Sequence, residues 1–249
     1  MEFSRELIER CRRAKSVVVL TGAGISAESG VPTFRGEDGL WRKYMAEELA
    51  TPYAFARDPR LVWEWYDWRR QIISKCLPNP GHYAIAKLET VYPDFLLITQ
   101  NVDGLHVKAG SKNLREIHGN IWRVRCTGEE RVSENIEVPL KDIPPMCECG
   151  KMLRPHIVWF GESLDSEDIK ISYEAIEKCE LFFSVGTSAI VQPAASFAMI
   201  AKENSACVVE INRDPTPISD LVDYSVMGRA GEILPELVEK LNKILNSNI

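Results

Sequence analysis

Leu20-Thr21-Gly22-Ala23-Gly24-Ile25-Ser26-Ala27-Glu28-Ser29-Gly30-Val31-Pro32-Thr33-Phe34-Arg35-Gly36 is the stretch from which the rest of the chain is best read. It continues Val17-Val18-Val19, and a continuous apolar run of this kind forms a strand buried on both faces. A buried strand ending in Gly22-Ala23-Gly24 places backbone amides, uncovered by side chains, at a strand-to-helix turn. Such a turn is where a dinucleotide pyrophosphate rests against a helix N-terminus. A Gly-x-Gly alone also closes ordinary tight turns, so the continuation matters. Gly30-Val31-Pro32 ends any helix, and Phe34-Arg35-Gly36 then sets an aromatic ring and a fixed cation close to the glycines.

Working outward, the runs Phe95–Thr99, Leu181–Val185, Cys207–Ile211 and, more weakly, Tyr224–Met227 read as further buried strands. Between them lie the helical patterns His82–Tyr92, Ser166–Lys178, Ala194–Lys202 and Glu232–Asn246. Strands alternating with helices predict an α/β fold with a doubly wound, Rossmann-like parallel sheet. Two segments break that rhythm. Residues 37–79 are helical and rich in tryptophan, and residues 121–154 carry clustered cysteines, prolines and charged turns. They read as a helical module and a cysteine module that together form a smaller inserted lobe. Residues 1–36, 80–120 and 155–249 make the larger domain.

Composition narrows the functional classes. The chain has 249 residues, 45% hydrophobic and 27% charged, as in a globular protein with a sizeable core. No apolar run approaches the ~20 residues needed to span a bilayer. Met1–Lys15 lacks the apolar core of a signal peptide and reads as an amphipathic helix, so a cytoplasmic location is expected. A net charge of −6 argues against a nonspecific nucleic-acid binder. No nucleic acid or membrane partner is expected, and the chain is expected to be a monomer. Seven cysteines are an odd number, which speaks against a disulfide framework. Cys11, Cys76, Cys179 and Cys207 lie in apolar or helical contexts and read as core residues.

Candidate functional residues gather after the strands. Gln100, Asn101 and Asp103 follow the run ending at Thr99, and ligands of open α/β sheets bind outside strand C-termini. Gly186-Thr187-Ser188 and Asn212-Arg213-Asp214 stand at two more strand ends. His118 follows the short run Leu114–Ile117 and precedes a glycine. Imidazole there suits either a buried hydrogen bond to backbone or proton transfer near neutral pH. His82, His106 and His156 read as structural. Tyr66 and Arg69 are three apart on a helical pattern and share a face.

In these blocks the chain resembles the sirtuins, NAD-consuming protein-lysine deacylases. The resemblance runs through Gly22–Trp41, Thr99–His106, Ile117–Asn120, Val158–Glu162, Gly186–Ser188 and Glu210–Asn212. It implies that NAD is bound by Gly22, Ala23, Gly24, Ser26, Thr33, Phe34, Arg35, Trp41, Gln100, Asn101 and Asp103. Gly186, Thr187, Ser188, Asn212, Arg213, Asp214 and Ala230 would complete that site. Phe34 would shield the reacting ribose carbon from water. His118 would be the general base, with Asn101 as its catalytic companion. The implied reaction consumes NAD as a co-substrate. The acyl carbonyl oxygen attacks ribose C1′ as nicotinamide leaves, and His118 helps a ribose hydroxyl close on the resulting imidate. Water then releases lysine and 2′-O-acyl-ADP-ribose.

The resemblance also implies acyl-lysine proteins or peptides as partners, pairing by strand addition with Val158-Trp159-Phe160-Gly161, which reads as an extended, exposed edge. Tyr66, Arg69 and the small Ala50 resemble the branch that removes succinyl or malonyl groups as well as acetyl. There a guanidinium holds the distal carboxylate bidentately. The family carries two Cys-x-x-Cys pairs about 15 to 20 residues apart around a structural zinc. This chain departs from that pattern, with Cys126-Thr127-Gly128-Glu129 and Cys147-Glu148-Cys149. Zinc would have three thiolates and either Glu129 or no fourth protein ligand. An NAD glycohydrolase or ADP-ribosyltransferase on the same scaffold, or a non-catalytic NAD-binding scaffold, are the competing readings. A dehydrogenase is disfavoured, because Arg42-Lys43 stand where an acidic ribose partner is usual.

Overall fold

The structure is a computed structural model that describes residues 3–32 and 46–246. The chain runs through α1 (Arg5–Arg13), β1 (Ser16–Thr21), α2 (Ala23–Ala27), α3 (Ala46–Leu49), α4 (Pro52–Arg57), α5 (Pro59–Ile73) and α6 (Pro80–Val91). Next come β2 (Asp94–Thr99), α7 (Leu105–Lys108), β3 (Leu114–Glu116), β4 (Gly119–Cys126), β5 (Val132–Glu134) and β6 (Leu153–Ile157). The last elements are α8 (Ser166–Ile176), β7 (Leu181–Val185), α9 (Ala194–Glu203), β8 (Cys207–Asn212), β9 (Tyr224–Met227) and α10 (Ala230–Asn246).

Six strands form a parallel sheet in the order β3-β2-β1-β7-β8-β9. The expected α/β class and five of its strands stand as read; β3 is the addition, a three-residue edge strand too short to announce itself. Strands buried on both faces resolve into two cores through the two-residue period of the strand. Val17, Val19, Phe95 and Leu97 face one core with α1, α6 and α10. Val18, Leu20, Leu96 and Ile98 face the other with α8 and α9.

Helix boundaries follow caps. Asn79 caps α6, its Oδ1 accepting from the Gly81 amide at 2.9 Å while His82 Nδ1 accepts from the Asn79 amide at 3.3 Å. That places the start of α6 two residues ahead of the apolar periodicity. Asp165 caps α8 in the same way, accepting from Glu167 and Asp168 at 3.0 Å each.

A second sheet, antiparallel and ordered β5-β4-β6, packs with α4 and α5 around a third core that holds Trp63, Trp65, Tyr66, Leu140 and Trp159. Arg70 is fully buried there. Its Nε donates to the Ile121 carbonyl and its Nη1 to Asn135 Oδ1, both at 2.8 Å, and its guanidinium lies over the Trp63 and Trp122 rings. It ties α5 to β4.

The strand order reverses between β1 and β7, and there two backbones approach closely. The Gly22 amide donates to the Val185 carbonyl at 3.0 Å and the Gly24 amide to the Gly186 carbonyl at 2.7 Å. A Cβ on Gly24 would lie 2.7 Å from that carbonyl oxygen and 2.8 Å from the Gly186 Cα. Backbone cannot yield as a flexible side chain does. Gly24→Ala is therefore expected to lower stability by about 1–3 kcal/mol, the range for overpacking a tight site. Urea unfolding of the purified variant measures this, and a midpoint equal to that of the parent would show that the junction is slack.

Candidate functional site

The site lies outside the C-terminal ends of β1, β2, β7 and β8, at the reversal of strand order, where open α/β sheets bind ligands. One hydrogen-bonded path joins residues from these separate strand ends. His118 Nδ1 is 3.1 Å from the Gln100 carbonyl, Gln100 Nε2 donates to Thr187 Oγ1 at 3.0 Å, and Asn212 Nδ2 donates to the Thr187 carbonyl at 2.8 Å. A second group sits on Gly22. Asn101 Nδ2 donates to the Gly22 carbonyl at 2.9 Å and to Ser26 Oγ at 3.0 Å.

The tautomer of His118 follows from its partner. A carbonyl oxygen only accepts, so Nδ1 carries the proton and Nε2 keeps its lone pair. Burial lowers the His118 pKa, partly countered by the Gln100 carbonyl, so the ring stays neutral at neutral pH. A neutral imidazole with a bare, fixed Nε2 is equipped to take a proton.

Asp103 is 4% exposed, and its Oδ1 accepts from the Leu105 amide at 2.8 Å. Burial raises its pKa against the opposing pull of that amide, Ser26 and the Arg69 cation. The Trp122 indole donates to the Asp103 carbonyl at 2.8 Å, which ties β4 to the site.

His82 and His106, read from the sequence as structural, serve the floor of this site. His82 Nε2 lies 3.5 Å from Ser26 Oγ, His106 Nε2 lies 3.0 Å from Thr21 Oγ1, and the two rings are 4.7 Å apart. Burial holds both neutral, His82 with a pKa pushed down to about 4. Thr21 and Thr99, hydrogen-bonded to each other at 2.8 Å, are site residues that sequence reasoning passed over. Threonines at the ends of adjacent strands carry no motif of their own.

Other expected residues are placed as follows. Thr33, Phe34, Arg35 and Trp41 lie outside the described residues. Gly22 and Gly24 are in place, but their amides are engaged by Val185 and Gly186, so these glycines serve close packing and not anion binding through their own N–H groups. Ala23 opens α2, and Ser188 follows the buried Thr187. Arg213 and Asp214 pair with each other at 3.0 Å on the surface. Ala230 is buried at the start of α10, whose next amide, that of Gly231, donates to the Glu28 carboxylate at 3.2 Å.

The segment Val158–Gly161 corrects the expectation of an extended edge. The strand β6 stops at Ile157, and residues 160–161 form a turn with Gly161 at φ +87°. Glu162 closes it: its Oε2 accepts from the Trp159 amide at 2.9 Å, while Arg154 grips both carboxylate oxygens and lies 3.6 Å over the Trp159 ring. The Val158 and Phe160 amides donate to the His118 and Ala50 carbonyls, each at 2.9 Å. A turn pinned by the half-buried Glu162 carboxylate thus replaces the strand and bridges His118 to Ala50.

That bridge also gathers the three expected acyl-pocket residues. Tyr66 is fully buried, and its hydroxyl accepts from the Trp159 indole at 2.9 Å, leaving its own proton to donate. Ala50 is buried in the same core. The Arg69 guanidinium lies 5.0 Å from the Trp65 ring and 6.0 Å from that of Tyr66. Burial lowers its pKa, opposed by Tyr66 and Asp103.

The cysteine cluster assembles as well. Ligand atoms of Cys126, Glu129, Cys147 and Cys149 all lie within 4.8 Å of one another, with Cys126 Sγ and Cys149 Sγ 3.4 Å apart. Zn–S bonds of 2.3 Å in a tetrahedron set sulfurs about 3.8 Å apart, so the group fits zinc. The Glu129 and Gly128 amides donate to Cys126 Sγ at 3.4 Å each, lowering its pKa to about 7 and favouring the thiolate that a metal needs.

Comparison with known proteins bears on both parts of the site. The model of the Sir2 family matches residues 22–193. A protein of Aquifex aeolicus described as an NAD-dependent protein deacylase is 53% identical, across 92% of this chain and 96% of its own. NAD-dependent protein deacylase 2 of Pyrobaculum aerophilum is 52% identical, across 94% of each chain. Among solved structures, that of a Sir2 homolog–NAD complex superposes with a TM-score of 0.94 at 45% identity, covering 98% of this chain and 96% of its own. The match spans the glycine turn, the histidine and the cysteine cluster in one continuous alignment, and the chain belongs to the Sir2 family.

Proposed function

We propose that the protein is an NAD-dependent protein-lysine deacylase in which His118 is the general base. The observation that carries the reading is the His118 Nδ1–Gln100 carbonyl bond, which leaves Nε2 as a neutral acceptor on the residue whose partner, Gln100, also donates to Thr187. The deacylase names of relatives about half identical along nearly their full length support it. NAD supplies the leaving nicotinamide and the ribose carbon that receives the acyl oxygen. His118 Nε2 takes the ribose hydroxyl proton. Asn101, Ser26, Gln100, Asp103, Thr187 and Asn212 hold the co-substrate, and Ala50, Tyr66, Arg69 and the Trp159–Phe160 turn receive the acyl-lysine. The cleft lies between the domain built from residues 1–36, 80–120 and 155–249 and the lobe built from 37–79 and 121–154. Nicotinamide release that needs no acyl-lysine peptide would instead favour a glycohydrolase.

His118→Ala is expected to lower deacylation by about 10²-fold or more, the usual worth of a general base, with NAD binding retained. Because burial depresses the His118 pKa, the acid limb of kcat/KM should fall below the ordinary histidine value of about 6.5. Initial rates from pH 5 to 8 measure both, and near-parental turnover in the variant would remove His118 from the chemistry.

Tyr66 and Arg69 select acidic acyl groups. A charge-assisted contact to a distal carboxylate is worth roughly one to two decades in kcat/KM, so succinyl-lysine should outperform acetyl-lysine by that factor. Arg69→Met should abolish the advantage and spare deacetylation. Competition between succinyl and acetyl peptides reads this directly, and equal loss of both activities would make Arg69 a scaffold residue.

Cys126, Cys147, Cys149 and Glu129 hold one structural zinc, which supplies folding energy and no chemistry at the pocket. Purified protein should contain about one equivalent, and chelation should lower the melting temperature. Glu129→Ala should release zinc at lower chelator concentration. Folded, metal-free protein would show that the cluster is only packing.

A further inference from the structure

Below Asn101 lies a buried hydrogen-bond path that the proposed chemistry does not use. The Asn101 amide donates to Thr99 Oγ1 at 3.1 Å, the Thr21 hydroxyl donates to the same oxygen at 2.8 Å, and His106 Nε2 stands 3.0 Å from Thr21 Oγ1. His106 is 2% exposed, and its Nδ1 is buried without any hydrogen-bond partner. One end of the path is a backbone N–H, which only donates, and the other is an imidazole, which can do either. With the Thr21 proton given to Thr99, Thr21 must accept from His106, so the proton sits on Nε2. The opposite tautomer would bury a bare N–H at Nδ1, which is rarer in folded proteins than an unpaired acceptor. The path therefore has a direction, and His106 sets it.

We propose that His106 is a positioning residue for Asn101, acting through Thr21 and Thr99. The path holds the Asn101 backbone, and with it the carboxamide that donates to the Gly22 carbonyl and to Ser26 Oγ. His82 supports the same Ser26 oxygen from the neighbouring ring, so the two histidines brace the pocket from below. Neither takes a proton in the proposed reaction. The kinetic consequence rests on the deacylase reading, whereas the tautomer does not.

The test joins kinetics to a measurement that needs no turnover. His106→Leu and Thr21→Val should each lower kcat/KM for NAD roughly three- to ten-fold, the worth of one such hydrogen bond. The double variant should be no worse than the poorer single variant, because both cut one path. His106→Gln, whose amide N–H can donate to Thr21, should recover most of the loss. Nitrogen-15 spectra of histidine-labelled protein should show His106 protonated at Nε2, and Thr21→Val should shift that resonance. Losses that multiply in the double variant would overturn the proposal, as would an Nδ1-protonated His106 in the parent protein. If His106→Leu does not fold, Thr21→Val, Thr99→Val and the spectra still decide the matter. A parent enzyme without NAD-dependent turnover but with the Nε2–H signature would refute the deacylase reading and leave the path standing.

Discussion

The approach of two backbones at the reversal of strand order is the constraint on which the rest of the structure depends. Gly24 and Gly186 share a 2.7 Å hydrogen bond, and Gly186 adopts φ +58° where a Cβ would sit 2.6 Å from the Ile25 nitrogen. Only residues without side chains bring β1 and β7 this close. The Gly22 carbonyl is left for Asn101, and the Thr187 hydroxyl falls within reach of Gln100.

Electrostatically, the histidines of the site are kept neutral. Burial lowers the pKa values of His82, His106 and His118 and raises that of Asp103. Desolvation opposes every charge here, and each titratable group is shifted toward its uncharged form. Neutral imidazoles hold a single proton whose position is set by hydrogen bonding, so they impart direction to the polar network without the cost of a buried cation. Cations are kept to the walls, where Arg69 and Arg154 lie over aromatic rings and Arg154 meets Glu162.

Polar contacts with backbone join the two insertions of the second lobe to each other and, through Trp122, to the larger domain. Arg70 binds the Ile121 carbonyl, the Trp63 indole donates to the Leu153 carbonyl, and the Trp122 indole donates to the Asp103 carbonyl. Each aromatic or guanidinium group fills apolar space and satisfies a buried acceptor at once. The tryptophan-rich helix thus builds a core and holds the Tyr66 hydroxyl against the Trp159 indole.

Much of this was legible in the chain alone. Apolar runs, helix periods and glycine turns are local, so they disclosed the parallel sheet, its helices and the strand ends bearing Asn101, His118, Thr187 and Asn212. The cysteine spacing marked a metal cluster and its missing fourth thiolate. What only tertiary structure decided was partnership. Thr21 and Thr99 are 78 residues apart, and they meet because the β1–β2 register pairs them. His106 joins Thr21 across 85 residues, and Trp159 joins Tyr66 across 93. The turn at Phe160-Gly161 was hidden for a different reason: the Arg154 stack on Trp159 and the Glu162 carboxylate that close it are local side-chain contacts that neither polarity nor period discloses. Local sequence carries polarity and period, whereas the partner of a buried polar atom is set by strand register and packing between segments far apart in the chain.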